Sequence, residues 1–373
     1  MAARPNGADT ASDKMDPMRV EAAGPQPRPS TRRRRIRGAS LVAAAVAALV
    51  VVSGCSNSSS TDRSKLATTV PMTPVAASAT AEQPAGRVIS APDAGTAMAI
   101  DSDRRVLAVL ATNRTDVEVY RLDDAGVPQL PPTTITLPVP AAALGGFSDG
   151  VLLAVGPRSL MSIDAVAGKV ATRQIDAGDP LSVARRGDDV LVGTSDGRVQ
   201  VVGARTVDVI DGFVRVDAIA VASDGQTMVL DRAQSSATEL DVDKRSLGPA
   251  QRVGNGGTEM SVDHVNRFLI SNTRDDQFIV IAGHPPIMQM RYPVSGGPYA
   301  VDYDDTRDLA WVVSTGNSTA QAFDLKTGIP EERHRFATVG QADSMAVDQR
   351  TGTVYLLSAR GEGLQVVSPT AWR

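Results

Sequence analysis

Three observations predict an all-β fold, a seven-bladed β-propeller, for residues 86–373. Short runs rich in Val, Leu and Ile recur seven times, with turn residues between them. The recurring runs start 38 to 45 residues apart, the length of a four-stranded unit. Strand-like alternation, as in Val117-Glu118-Val119-Tyr120, is clear, whereas no helical period of useful length is present.

The second strand of each unit gives the clearest signal, a continuous apolar run. These runs begin at Leu107, Val151, Val190, Met228, Phe268, Leu309 and Val354. A third strand follows nine to twelve residues later, beginning at Val117, Leu160, Val199, Leu240, Phe278, Ala320 and Leu364. Each unit predicts one blade, and the blades are numbered 1 to 7 in this order.

The two ends of the repeat region predict how the ring closes. The seventh unit lacks a fourth strand, because only four residues follow Pro369. At the other end, Gly86–Ser90 is a strand without a unit. Pairing these two segments completes blade 7 and removes the exposed strand edges of an open ring.

Several units resemble the YVTN-type propeller repeat. That repeat consists of a Gly-x-x-Pro turn, an apolar strand that ends in Asp, and a second apolar strand that ends in Thr-Asn. The matching segments are Gly296–Asp302, Ala111–Arg114 and Ser271–Arg274. The literal Tyr-Val-Thr-Asn string does not occur, and blades 2 to 4 are degenerate. The resemblance covers Gly86 to Arg373 and implies architecture rather than activity, since such folds host many functions.

The N-terminal region has the layout of a secretory signal. Arg32–Arg37 is basic, and the apolar run Leu41–Val52 that follows has 12 residues, against about 20 for a spanning helix. The run leads into Val52-Ser53-Gly54-Cys55, which resembles the lipobox of bacterial lipoproteins. Together with the propeller, this implies an actinobacterial-type lipoprotein. The alternative is an uncleaved anchor with an unmodified Cys55, and both Sec and twin-arginine export stay open.

The lipobox resemblance implies cleavage between Gly54 and Cys55, lipidation of the Cys55 sulfur, and attachment to the extracytoplasmic face of the cell membrane. The predicted organisation is a signal peptide at 1–54, a lipidated cysteine with a flexible linker at 55–85, and the propeller at 86–373. The linker is rich in Ser, Thr, Ala and Pro.

Charge and cysteine content limit the function of the mature chain. The whole chain carries −4 and residues 1–54 carry +5, which leaves −9 from Cys55 onward. A negative domain argues against nucleic acid as a partner, since that affinity depends on neutralising phosphates. The single cysteine allows no internal disulfide, so an apolar core must hold the fold. We expect a monomer.

The residues that most often carry catalysis are scattered. By the strand assignment, His264, His284 and His334 fall in a first-to-second strand turn, a third-to-fourth strand turn and an outer strand. The strings Gly146–Gly150 and Gly193–Gly197 match Gly-x-Ser-x-Gly, but a strand follows each where a nucleophile elbow needs a helix. We therefore predict no catalytic residue, no metal site and no cofactor.

Aspartate clusters at 101–103 and 302–305 suit either Ca²⁺ or a turn. The turn is favoured because aspartates recur at a position that the sequence assigns as equivalent between blades. The assigned set is Asp101, Asp263, Asp302 and Asp348.

An arginine recurs in the loop between the second and third strands of six blades. The six are Arg114, Arg158, Arg198, Arg232, Arg274 and Arg360. Loops of this kind share one face of a propeller, so the arginines could grip a carboxylate or phosphate by paired hydrogen bonds. The alternative is a set of solvated ion pairs with nearby acids such as Asp116, Asp196 and Glu362.

The leading hypothesis is a non-catalytic binding or scaffold module whose partner is an envelope protein or an anionic ligand. One alternative is a propeller enzyme of the lactonase or quinoprotein kind, acting on a small sugar-like substrate. Three histidines and two tryptophans argue against it, since a stacked quinone needs an aromatic pocket. Sugar or peptidoglycan binding is a third possibility, weakened by the thirteen aromatic residues being few for stacking.

The Cys55→Ala variant should stay uncleaved by lipoprotein signal peptidase and take up no lipid label, because no other cysteine is available. Metabolic labelling with a clickable fatty acid, read beside the size of the precursor, checks both effects. Label at the wild-type level in the variant would contradict the lipobox interpretation.

Overall fold

Seven antiparallel four-stranded sheets form the described part of the chain. The structure is a computed structural model that describes residues 66–78, 82–91 and 93–373. The predicted signal segment, the cleavage position and Cys55 lie outside the described residues. The prediction of a seven-bladed β-propeller is confirmed.

The strands follow the predicted repeat, four to a blade. Blades 1 and 2 consist of β2 (Ala94–Asp101), β3 (Val106–Ala111), β4 (Asp116–Arg121) and β5 (Thr133–Thr136), then β6 (Ala143–Ser148), β7 (Val151–Gly156), β8 (Ser159–Asp164) and β9 (Lys169–Gln174). Blades 3 and 4 consist of β10 (Pro180–Arg186), β11 (Asp189–Thr194), β12 (Arg198–Val202) and β13 (Val207–Asp211), then β14 (Ala218–Val221), β15 (Thr227–Asp231), β16 (Ser236–Asp241) and β17 (Ser246–Arg252).

The remaining blades repeat the pattern. Blades 5 and 6 consist of β18 (Gly257–Val262), β19 (Phe268–Asn272), β20 (Gln277–Ala282) and β21 (Ile287–Pro293), then β22 (Pro298–Asp304), β23 (Leu309–Ser314), β24 (Thr319–Asp324) and β25 (Glu331–Ala337). Blade 7 consists of β26 (Ala342–Val347), β27 (Val354–Ser358), β28 (Leu364–Val367) and the N-terminal strand β1 (Arg87–Ile89).

The radial position of each strand explains its composition. The first strands of neighbouring blades contact one another all round, including β26 with β2, and so surround a central channel. The second strands are almost wholly buried, as in β19 and β27, which is why their sequences are continuous apolar runs. The outer fourth strands are mostly exposed and polar.

The core lies between blades rather than within one sheet. The cluster between blades 6 and 7, for example, contains the fully buried Trp311. After the 3-10 helix Pro369–Ala371, Trp372 packs edge-on against Trp311, with ring centroids 5.0 Å apart. Arg373 then exchanges backbone hydrogen bonds with Arg335 of β25. The chain end is thereby fixed against blade 6.

Strand β1 closes the ring as the sequence predicts. It pairs antiparallel with β28, in the register Arg87 to Val366 and Ile89 to Leu364. The Ile89 side chain is 3% exposed and joins a cluster formed by blades 7 and 1. The buried Gln365 amide donates to the Ala85 carbonyl at 2.9 Å, which holds the chain just before β1.

The recurring aspartates stabilise the turns between first and second strands. Their carboxylates accept backbone N–H groups from the turn in blades 1, 5, 6 and 7, and the four residues are Asp101, Asp263, Asp304 and Asp348. The assignment of Asp302 to this set is wrong. Asp304 faces Leu309 across the hairpin as Asp101 faces Val106, so the equivalent position lies two residues later.

Among the described residues, no helix has the length and apolar character needed to cross a membrane.

Replacing Ile89 by Ala should destabilise the propeller by about 2–5 kcal/mol, the usual cost of truncating a buried isoleucine. Val88 is 40% exposed on the same strand, so Val88→Ala should change stability by no more than about 0.5 kcal/mol. Urea unfolding of both variants measures the difference. Equal unfolding midpoints for the two variants would show that packing of β1 does not stabilise the closed ring.

Candidate functional site

The loops between second and third strands lie on one side of the propeller, because every blade has the same strand order from the channel outward. We call this side the arginine face; the opposite face carries the turns between first and second strands. All six predicted arginines lie on the arginine face, five in loops and Arg198 at the first residue of β12. They differ in what they contact.

Two of the six make the local ion pairs of the alternative interpretation. The Nε atom of Arg198 lies 2.8 Å from Oδ2 of Asp196, and Nε of Arg360 lies 2.7 Å from Oε1 of Glu362. These pairs are largely solvated, so they contribute little to stability. Their guanidinium groups are already engaged by carboxylates.

Arg114 and Arg158, on blades 1 and 2, are exposed. The expected partner of Arg114, Asp116, instead accepts hydrogen bonds from Asn113 at 2.7 Å and from Thr136 at 2.9 Å. Within the described residues, no carboxylate lies within ion-pair distance of either arginine. This part of the face therefore presents two cations to solvent.

Arg232 and Arg274 contact a segment of the chain itself. Leu66–Ser78, which we call the strap, belongs to the stretch that composition predicts to be a linker, yet it lies along the arginine face over blades 4 to 7. Arg274 Nη2 donates to the Val70 carbonyl at 3.1 Å, and Arg232 donates to the Met72 carbonyl. The Thr69 N–H donates to the Ala233 carbonyl at 2.7 Å.

The far end of the strap is held by Gln341, in the loop that leads into blade 7. Its side-chain amide donates to the Val75 carbonyl at 3.1 Å and accepts the Ala77 N–H at 3.0 Å. The Ser78 N–H also donates to the Gly316 carbonyl at 3.1 Å. Most strap contacts thus engage main-chain groups, and they are spread over four blades.

Glycines make room for the apolar side chains of the strap. A Cβ at Gly256 would lie 2.9 Å from Met72 Cγ. At Gly297 a Cβ would lie 2.4 Å from a Val75 methyl, and at Gly316 it would lie 2.9 Å from the other Val75 methyl. The arginine face therefore has a groove, lined by these glycines, into which Met72 and Val75 fit.

Beneath the strap, a cluster of ionisable groups lines the channel. Arg232 Nη1 lies 4.0 Å from Glu259 Oε1, and its guanidinium carbon lies 5.8 Å from the centre of the Tyr299 ring. The Arg232 backbone N–H donates to Asp217 at 2.9 Å, and Asp217 pairs with Arg215 at 2.7 Å. The Asp217 carboxylate, itself held by Arg215, therefore fixes the backbone of the loop that presents Arg232.

The channel walls favour neutral carboxyl groups here. Loss of solvation raises the pKa of Glu259 to about 7, although the Arg232 charge opposes the shift. Solvent reaches 39% of the Glu259 side chain, but through a channel whose walls surround it. Burial similarly raises the pKa of Asp343 to about 6, although its hydrogen bond with Gln341 lowers it.

A third carboxyl group, Asp302, lies nearer the opposite face. It accepts the Tyr303 and Val347 N–H groups at 2.9 and 3.1 Å and the Ser261 hydroxyl at 3.3 Å. Loss of solvation raises its pKa to about 6 despite these bonds. Asp302 thus links blades 5, 6 and 7 inside the channel, a role different from the turn position assigned to it.

The channel opens on the opposite face through two adjoining cavities of 850 and 430 Å³. Phe147 and Asp149 line both, and Asp302 lines the smaller one. This mouth is reached from solvent between the first-to-second strand turns.

The histidines and the Ser-Asp-Gly strings lie away from any shared centre. His264 and His284 are in turns, 3.2 Å from Asp305 and 3.1 Å from Asp224, whereas His334 is on β25. The strings at Ser148 and Ser195 form turns with a positive φ at the closing glycine. The described residues contain no group of three or more His, Cys, Asp or Glu side chains suited to a metal ion.

Sequence reasoning missed Glu259, Asp343, Gln341 and the strap. Glu259 interrupts an otherwise uncharged inner strand, which was a usable signal. The strap has a weaker signal, two prolines around Met72 within a Ser/Thr/Ala-rich stretch. Gln341 could not be recognised, because its role depends on where the strap lies.

Comparison with known proteins supports the fold alone. No family model and no curated protein matches the chain. Among solved structures, the chain is similar to the hydrazine synthase of Kuenenia stuttgartiensis (TM-score 0.63, 11% identity, covering 77% of this chain and 99% of that one). It is also similar to virginiamycin B lyase from Staphylococcus aureus (TM-score 0.59, 10% identity, 75% and 97% covered). A third is the Cps50 (Swd1) β-propeller domain of Myceliophteria thermophila (TM-score 0.63, 8% identity, 76% and 98% covered).

Glu259→Gln should stabilise the protein more at pH 8 than at pH 4. The pKa of Glu259 is about 7 in the folded state and near 4.3 in the unfolded chain, so between pH 4.3 and pH 7 the folded state binds more protons than the unfolded chain. Wild-type stability therefore falls as the pH rises from about 4.3 through about 7. The amide removes this loss.

Thermal melts of wild type and variant at both pH values measure the effect, with the exposed Glu362→Gln as control. A gain of equal size at pH 4 and pH 8 would contradict the channel pKa.

Proposed function

We propose that this chain is a lipid-anchored extracytoplasmic protein whose propeller is a non-catalytic binding module of the cell envelope. The anchor is the lipidated Cys55, supported by the Val-Ser-Gly-Cys sequence and the basic and apolar segments before it. The partner is an envelope protein or an anionic ligand.

One observation carries the assignment of the binding side. On blades 1 and 2 the arginine face exposes Arg114 and Arg158, in the same loops whose counterparts on blades 4 and 5 hold a polypeptide segment. Two exposed guanidinium groups on neighbouring blades offer charge-assisted hydrogen bonds to an anionic group. The net charge of −9 from Cys55 onward makes these basic loops a local exception.

Reversing both charges tests this side. Arg114→Glu with Arg158→Glu should abolish adducts formed by chemical cross-linking of the lipidated protein in whole cells. The control pair is Lys169→Glu with Arg205→Glu, which makes the same charge change toward the opposite face. Adducts in isolated membranes should also weaken with salt, since exposed charges are screened over about 10 Å at 0.1 M.

Loss of adducts in the test pair alone, with both proteins folded by circular dichroism, supports the arginine face. If adducts still form with the Arg114→Glu, Arg158→Glu variant and at high salt, the partner site has to be sought at the channel mouth of the opposite face.

An alternative is a propeller enzyme of the lactonase or quinoprotein type acting on a small sugar-like substrate. Glu259 favours it, because a carboxyl group with a pKa near 7 beside an arginine is suited to proton transfer. A screen of sugar lactones by pH-stat would test it. If the wild-type protein hydrolyses a lactone and the Glu259→Gln variant does not, the enzyme is the better assignment.

A further inference from the structure

We propose that the groove under the strap is a binding site for an extended, acidic, proline-containing peptide of a partner protein, and that the strap is its internal occupant. This rests on the proposed binding function and names the class of partner.

The groove recognises main chain rather than particular side chains. Arg232, Arg274 and the Gln341 amide all bind strap carbonyls, and Gln341 also accepts a strap N–H. Every polypeptide presents the same groups when extended. Recognition of this kind selects an extended conformation and a spacing of contacts, as when a peptide is bound along a domain surface.

Side-chain selectivity comes from the glycines. Gly256 makes room for Met72, whereas Gly297 and Gly316 make room for Val75. The groove therefore suits a ligand with two medium-sized apolar side chains three residues apart, in the places of the half-buried Met72 and of Val75, which is 38% exposed. Pro71 and Pro74 each precede one of these side chains, and a proline reduces the conformational entropy lost on ordering an extended peptide.

The strap leaves favourable interactions unused. Leu66–Ser78 contains no charged residue, although Arg274 is exposed beside Val70. The Val70 side chain is itself 78% exposed and fills no pocket. A competing peptide with a carboxylate at this position gains an ion pair with Arg274 that the strap cannot make. Acidic residues are thus the feature that lets a partner displace the strap.

Competition with the strap sets the threshold for binding. Because the strap is covalently linked to the groove, its effective concentration is on the order of millimolar. A separate peptide identical to the strap should scarcely displace it from the wild-type protein. A peptide with the added ion pair should displace it at lower concentration.

The probes are two fluorescent peptides, one with the sequence of residues 66–78 and one with glutamate in place of Val70. The proteins are the full mature chain and a version whose residues 69–77 are replaced by Gly and Ser. Fluorescence anisotropy should show binding of both peptides to the replaced version, tighter for the acidic one. Adding Gln341→Ala should weaken binding about tenfold, the effect of losing one to two net hydrogen bonds.

Gln174→Ala, an exposed glutamine on blade 2, is the matched control and should leave binding unchanged. A folded strap-replaced protein that binds neither peptide would overturn the proposal. An affinity for the peptides that stays unchanged in the Gln341→Ala variant would also overturn it. Should the replaced version fail to fold, hydrogen exchange in the unmodified protein gives the same answer. The acidic peptide should then increase deuterium uptake at the Thr69, Ala77 and Ser78 amides, and unchanged uptake would overturn the proposal.

The two proposals fail in different ways. Absence of peptide binding with cross-linked adducts still dependent on Arg114 and Arg158 removes the groove but keeps the binding module. A wild-type protein that takes up no lipid label, or forms no adducts, but still binds the peptides removes the envelope binding module and keeps the groove.

Discussion

The pairing of β1 with β28 is the constraint on which the rest of the structure depends. Each blade buries its faces only against its neighbours, so the apolar core consists of the interfaces between blades and depends on every interface being present. Blade 7 is assembled from both ends of the propeller sequence, and Ile89 completes the packing between blades 7 and 1. The channel, the arginine face and the opposite mouth all exist because this junction holds the first strands in a closed circle.

The architecture could be predicted because burial dictates composition strand by strand. A second strand enclosed on both sides is mostly apolar, so Phe268–Asn272 and Val354–Ser358 begin at the positions that the sequence predicts. Errors arose where two positions share the same residue type. Asp302 and Asp304 are both aspartates near a turn, and only the pairing of Asp304 with Leu309 shows which of them belongs to it.

The site was less predictable, because its contacts join residues far apart in sequence. The arginine loops were recognisable as a repeated feature, but their partners were not. Arg198 and Arg360 have acids two residues away, whereas Arg232 and Arg274 contact Met72 and Val70, about 160 and 204 residues earlier in the chain. Composition alone describes the strap as an uncharged segment rich in Ala, Thr and Pro, and hydrogen bonds to its main chain leave no trace in its own sequence.

The order of segments along the chain has a mechanical consequence. The strap precedes β1, so a force applied at the N-terminal side of the domain reaches the strap before it reaches the closing strand. Its hydrogen bonds to Ala233, Arg274, Arg232, Gln341 and Gly316 are spaced along blades 4 to 7 and would break one after another. Tension is thereby absorbed by contacts whose loss leaves the ring closed. The closing strand would therefore stay paired under a pull at the N-terminal side that would otherwise act on β1 directly.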